Sequence, residues 1–413
     1  MSSVFSPFTL GRLVLPSRVI KTATYEGMAT DGAPSEVLKR HHVELAEGGV
    51  GMTTVAYASV SPEGRTFAEQ MVMRPENVAP LQALTDAVHA AGAAAMLQLG
   101  HAGGFSKNTE LGVRGPAGPS LGFNAYGALS GMPVARAMNE DELRRTKDDF
   151  VRAARLSFEA GFDAIELHLG HGYLLSQFLS PHRNRRADRY GGALEGRMRY
   201  PLEVVRAVRA ALGPEAPIVV KTNLEDGVKG GLGVEECIEV CRALEAEGVS
   251  AVVLSGGLVS HSAFHLLRGG RPLASMIEVE KSAVQKLALR LFGPVFVPVV
   301  PYAPTFFLPL ARQVRSAVKL PLVYVGGACS LAELEGLCDE GFELVAMGRA
   351  LLREPDLLRR YARGEAQEAR CTHCNECVAE MDRPGGVACR EEPWQLARRA
   401  QEVAERKHLV VCR

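Results

Sequence analysis

Short, nearly continuous apolar runs recur along the chain at 19–22, 51–56, 94–98, 164–168, 218–222, 251–255, 322–325 and 344–347. Between them lie amphipathic stretches in which apolar residues return every three or four positions. A strand apolar on both faces suits a parallel sheet covered by helices. Eight strands alternating with helices predict an α/β fold, a (β/α)8 TIM barrel, with an open doubly wound sheet as the alternative. Gly48, Gly92, Gly161, Gly213, Gly248 and Gly341 close helices just before these runs and are predicted to take the left-handed conformation. Asn139, followed by Glu140, Asp141 and Glu142, predicts a capped helix start, and that helix runs to about Glu159.

Residues 5–15, with a turn at Gly11, predict an N-terminal hairpin able to plug the barrel floor. An insertion after strand six, 258–304, is predicted to be a lid or a substrate-shaping element. Its end, GPVFVPVVPYAP, cannot be helical throughout, because proline lacks the donor that a helix interior requires. His261, His265 and Arg268 in this insertion read as a solvated face. A last helix is predicted at 393–407, so the chain divides into a barrel, 1–364, and a cysteine-containing C-terminal extension, 365–413.

Charge adds little direction: Lys+Arg and Asp+Glu each number 47 in 413 residues. Such a balance points away from nucleic acid and anionic surfaces and toward a small-molecule substrate. No apolar run reaches the roughly 18–20 residues of a bilayer span, and no leader pattern stands at the start. A cytoplasmic location without a membrane is expected, and a homo-oligomer is compatible with the fold.

Barrel chemistry gathers at the carboxyl ends of the strands, and here those ends are polar or glycine. Strand four ends in His168-Leu-Gly-His171-Gly-Tyr173, so two imidazoles and a phenol can converge on one oxygen and its neighbour. The histidines could instead be zinc ligands of a barrel hydrolase or lyase, with Glu26 as the third ligand. Gly326, Gly327 and Gly348 with Arg349, at the ends of strands seven and eight, could cradle a phosphate or could simply be turns.

Several segments taken together resemble the Old Yellow Enzyme family, in the branch related to 2,4-dienoyl-CoA reductase and xenobiotic-type ene-reductases. They are LVLPSRVIKTATYEGMATDG, MLQLGHAG, the run from Ala160 that begins AGFDAIELHLGHGYLLSQFLSPHRNRRADRYGG, VVKTNLEDGVKGG, VYVGGACS and VAMGRALLREPDL. The likeness extends over 5–364. It implies FMN across the barrel mouth, with Ala23 and Thr24 against the ring, Gln98 on the pyrimidine edge and Lys221 near N1 and O2. The phosphate would take Gly326, Gly327, Gly348 and Arg349. His168 and His171 would hold a substrate carbonyl, Tyr173 would donate a proton, and Tyr25 would face the reacting edge and the substrate. The implied reaction is ping-pong reduction of an activated C=C bond with NAD(P)H. A flavin-dependent dehydrogenase, demethylase or desaturase on the same site is the alternative. Strand one departs from the family, with Lys21-Thr22-Ala23-Thr24-Tyr25 where many relatives carry an apolar-Pro-Met segment, so substrate range is left open.

Cys371, Cys374, Cys377 and Cys389 have gaps of two, two and eleven residues. That spacing permits an iron–sulfur cluster or a four-thiolate zinc site. No flavin or NADH domain follows them, which favours a structural site or free thiols. Cys237, Cys241, Cys329, Cys338 and Cys412 read as ordinary cysteines.

Overall fold

A computed structural model describes residues 3–411. Eight strands form a closed, all-parallel barrel: β1 (Val19–Lys21), β2 (Met52–Ser59), β3 (Ala94–Gly100), β4 (Ala164–Leu169), β5 (Ile218–Asn223), β6 (Ala251–Ser255), β7 (Leu322–Tyr324) and β8 (Leu344–Met347). They pair in chain order, and β8 closes on β1 through Val345–Val19 and Ala346–Ile20. Each expected strand is present. The largest extension is in β2, where a shift of register between Val55 and Ala58 carries the strand on to Ser59.

Alternation along the strands divides the apolar residues into two sets. Ile20, Met52, Ala94, Met96, Ala164, Val219, Ala251, Val253, Val323, Leu344 and Ala346 fill the barrel interior. Their neighbours face the helical layer. The N-terminal hairpin pairs Phe8–Leu10 with Leu13–Leu15 around Gly11 at φ +58°, and its Leu10 and Leu15 join the interior set. Gly11 lies beside Glu215, Pro217 and Ser250, just ahead of β5 and β6, so the hairpin stops the amino end of the barrel. Burial of each leucine contributes roughly 1.5–3 kcal/mol.

The helix Glu140–Glu159 begins with a complete capping box between Asn139 and Glu142. Five of the six helix-closing glycines are left-handed. Gly48 is the correction: its φ is −74°, and Gly49 beside it takes φ +98°. Gly48 is glycine for another reason, because a Cβ there would stand 1.8 Å from the Pro355 carbonyl.

The insertion folds into the helices Ala263–Leu266, Leu273–Val279 and Ala283–Phe296. The last contains Pro294, which cannot donate a helical hydrogen bond, and ends two residues later. Its outer face is apolar, with Val284, Leu287, Leu291, Phe292, Val295 and Phe296 exposed. His265 and Arg268 are not solvated ornaments: His265 pairs with Glu225 at 2.9 Å, and the Arg268 guanidinium lies over the Phe306 ring. Beyond Gly364 the chain folds back on the barrel. Ala369 donates to the Cys329 carbonyl, Val387 donates to the Glu26 carbonyl, and the helix Pro393–Val411 follows. Cys412 lies outside the described residues.

Candidate active site

Closure of the all-parallel barrel brings the carboxyl ends of its strands to one mouth. Just below it lies a buried polar layer. Gln98 on β3 donates from Nε2 to Glu166 Oε1 on β4 at 2.6 Å, and Lys221 Nζ on β5 lies 3.0 Å from that same oxygen. Lys221 also donates to Thr22 Oγ1 at 3.2 Å. Glu166 therefore neutralises the lysine and aims the amide. Sequence reasoning missed it, although an acid two positions before His168 in an otherwise apolar strand is a legible signal.

His168 ends β4 with its ring 5.0 Å from that of His171 and 4.4 Å from that of Tyr173, so the triplet is assembled. His168 Nδ1 accepts from the Gly170 amide, which leaves Nε2 to carry the proton in the neutral ring. Burial pushes the His168 pKa well below its ordinary value and that of His171 down to about 3. Both rings are thus neutral donors at physiological pH.

His171 holds φ +60°, a region costly for a side-chain-bearing residue. Asn223 Oδ1 accepts from its amide, the Val259 amide donates to its carbonyl, and Ser255 Oγ lies 2.7 Å from its Nε2. The ends of β5 and β6 therefore fix its pose. Tyr173 packs against Tyr57 and Phe105. Burial raises the pKa of its phenol, so it stays protonated, while Thr66 and Tyr57 oppose that shift weakly. Tyr57, bonded to Thr66 at 2.5 Å, was not foreseen. It lies where the register of β2 shifts.

At the β7 and β8 ends, Gly326 has φ +152° and Gly327 has φ +88°. A Cβ on Gly326 would stand 2.9 Å from Phe307, and one on Gly327 would stand 2.8 Å from Phe306, so neither position admits a side chain. Arg349 follows Gly348. Its Nη1 donates to the Arg268 carbonyl at 2.8 Å and to Asn375 Oδ1, with no carboxylate in ion-pair reach among the described residues. It is tethered between the insertion and the cysteine segment, a placement the sequence did not suggest. Ala23, Gly327 and Gly348 are half-buried and Thr24 is exposed, whereas the layer beneath is closed. Glycine backbone at the β7 and β8 ends and an arginine with no carboxylate partner among the described residues are groups able to hold a phosphate such as that of FMN.

Tyr25 packs edge-on against Phe67 at 4.8 Å, beside the cleft floor. Glu26 does not join His168 and His171. Its carboxylate bonds Lys21 and lies 3.9 Å from His42, so the third ligand required by the zinc reading is engaged elsewhere. Among the described residues no group of three or more His, Cys, Asp or Glu is placed to hold a metal ion.

Cys371, Cys374, Cys377 and Cys389 line one pocket together with Arg349, Arg353 and Asn375. All four are free thiols, and burial pushes Cys377 up to about 12. Cys329, read in the sequence as ordinary, has its Sγ 3.4 Å from Nε2 of His373, which stands between the pocket residues Thr372 and Cys374.

Comparison with known proteins identifies the family and the fold. Residues 3–281 match the NADH:flavin oxidoreductase / NADH oxidase family. The chain is 42% identical over 379 residues to a 4,4'-dithiodibutanoate disulfide reductase of Rhodococcus erythropolis, covering 91% of this chain and 92% of that one. It is 30% identical to an NADH oxidase of Thermoanaerobacter brockii over 90% of this chain, but it spans only 53% of that relative's length. The old yellow enzyme homologue of Zymomonas mobilis superposes with a TM-score of 0.69 at 23% identity, covering 90% of this chain and 96% of that one, a likeness of fold. The chain belongs to the NADH:flavin oxidoreductase / NADH oxidase family and is an oxidoreductase of the Old Yellow Enzyme kind.

Proposed function

We propose that the protein binds FMN at this mouth and reduces the C=C bond of an α,β-unsaturated carbonyl compound at the expense of NAD(P)H. The observation that carries the reading is the assembled triplet: two neutral imidazoles and a protonated phenol over a floor underlain by Lys221 and Gln98. Bound FMN supplies the hydride acceptor for NAD(P)H and the hydride donor for the alkene.

The chain's own residues do the rest. Gln98 and Lys221 meet the pyrimidine side of the ring. The lysine charge, held by Glu166, offsets negative charge gained on reduction. Gly326, Gly327, Gly348 and Arg349 hold the phosphate, Ala23 and Thr24 lie under the ring, and Tyr25 borders the reacting edge and the substrate. His168 and His171 hold the carbonyl oxygen of the substrate, where their N–H donors stabilise developing enolate charge by a few kcal/mol, at about 1.4 kcal/mol per tenfold in rate. Tyr173 delivers its proton to the α-carbon.

The Rhodococcus relative favours a second reading, in which the acceptor is a disulfide and the hydride breaks an S–S bond.

The test is an anaerobic visible spectrum of the purified protein, with flavin, iron and zinc quantified, followed by NAD(P)H and then 2-cyclohexenone or a dicarboxylate disulfide. Bleaching by NAD(P)H and recovery of the flavin band on enone addition is the expected result. Recovery only with the disulfide supports the second reading, and a colourless protein contradicts both.

A further inference from the structure

Beside the triplet, the turn after the helix Leu174–Leu179 carries His182, Arg183 and Arg185. Arg183 is half-buried, yet its guanidinium has neither an ion pair nor a side-chain hydrogen bond among the described residues. Other buried or half-buried arginines find acceptors: Arg186 bonds Asp188, Arg197 bonds Glu236, and Arg209 donates to the Ala216 carbonyl. In a chain whose formal charge sums to zero, this local excess is not a consequence of composition.

The surroundings of Arg183 reinforce the excess. Arg185 stands close enough for its charge to act on Arg183, and the His182 ring lies 5.3 Å from that of His261. Arg183 and His182 in turn act on His261. The acid that reaches this group is Asp226, which acts on His182, and its carboxylate is already taken. It accepts from Ser180 Oγ, Asn223 Nδ2 and the Leu232 amide. Two guanidinium charges and two imidazoles, which burial and those charges keep neutral, thus share a site with no free carboxylate among the described residues.

The same site flanks the catalytic residues. Arg183 Nη2 lies 3.8 Å from the position a Cβ would take on Gly104, and the next residue, Phe105, packs on the Tyr173 ring. On the other side, the strand-six loop pairs Leu258 with His171 and reaches His261 three residues later. An unpaired, partly desolvated guanidinium is unfavourable until a planar anion takes its two parallel donors.

We propose that Arg183, with His182 and His261 beside it, binds a carboxylate of the substrate, so that the natural acceptor is an anion whose carboxylate lies several bonds from the one reduced. This deepens the reductase reading and rests on it. A neutral enone would react at the triplet without using the subsite, whereas a carboxylated one would be anchored at both ends.

The test uses the FMN-loaded enzyme with NADPH and two acceptors of the same shape, 4-(4-oxocyclohex-2-enyl)butanoate and its methyl ester. The acid should exceed the ester in kcat/KM by about 10- to 100-fold, the range of a hydrogen bond to a charged group. Arg183→Gln should bring that ratio close to one, Arg183→Lys should keep part of it, and rising salt should shrink it. A ratio near one in the unaltered enzyme, or a ratio that Arg183→Gln leaves intact, would overturn the proposal. Should neither compound be turned over, the reductase reading fails, and calorimetric titration of the oxidised holoenzyme still decides the subsite. Tighter binding of the acid than of the ester, lost in Arg183→Gln, upholds it, and equal binding rejects it.

Discussion

Lys221 and Glu166 form a buried ion pair of 3.0 Å directly beneath the barrel mouth, and the same carboxylate oxygen accepts from Gln98. The two residues that would meet the pyrimidine side of a flavin are thereby set by a third that never reaches it. A cation at that place is useful only while its charge is partly compensated before reduction and available afterwards. Glu166 is the residue that sets this balance.

Replacing Glu166 with Gln keeps the shape and removes the compensation. Because an uncompensated buried charge remains, stability should fall by about 3–5 kcal/mol in chemical denaturation. The same uncompensated lysine favours the reduced, more negative flavin, so the midpoint potential should rise by about 30 mV or more. Dye equilibration measures that shift, and a fall in potential would show that Lys221 does not act on the ring.

Acid stability follows from buried neutral histidines. Burial holds His41 and His171 down to about 3 and His101 down to about 4, with His42 and His168 well below the ordinary range. Their folded pKa values lie below the unfolded value near 6.5, so below that pH the unfolded chain binds more protons. The stabilisation is complete above pH 6.5 and is lost as pH falls toward 3, at up to about 1.4 kcal/mol per pH unit for each histidine. Urea midpoints at pH 7, 6 and 5 should therefore fall progressively. Identical midpoints would mean that the rings are not buried neutral.

Gly327 tests the phosphate corner. Its φ of +88° and the 2.8 Å approach of Phe306 leave no room for a methyl group. Gly327→Ala should weaken FMN by about 10- to 100-fold, corresponding to strain of roughly 1–3 kcal/mol. Flavin fluorescence during reconstitution of the apoprotein gives the affinity. Unaltered affinity would move the phosphate away from this loop.

Eight strands were readable because a strand covered on both faces must be apolar along its length, and a glycine closes the helix before most of them. The capped start at Asn139 was readable for a similarly local reason. What escaped notice depended on contacts between distant segments. Gly48 must be glycine because of the Pro355 carbonyl, far along the chain, and not because of its own backbone angle. Tyr57 meets Tyr173 from the stretch where the register of β2 shifts, and the tether from Arg349 to Asn375 joins segments that no spacing relates. Glu26 illustrates the opposite error: its position at a strand end suggested a metal ligand, while Lys21, five residues earlier, claims it.

The reading of the triplet depends most on Tyr173, whose phenol burial keeps protonated. Stopped-flow kinetics of Tyr173→Phe with both half-reactions followed separately is the most direct measurement. The account predicts that reoxidation by 2-cyclohexenone slows by about 10²- to 10⁴-fold, the usual contribution of a positioned acid, while reduction by NAD(P)H proceeds at close to its original rate. Equal slowing of the two half-reactions, or none in reoxidation, would contradict it.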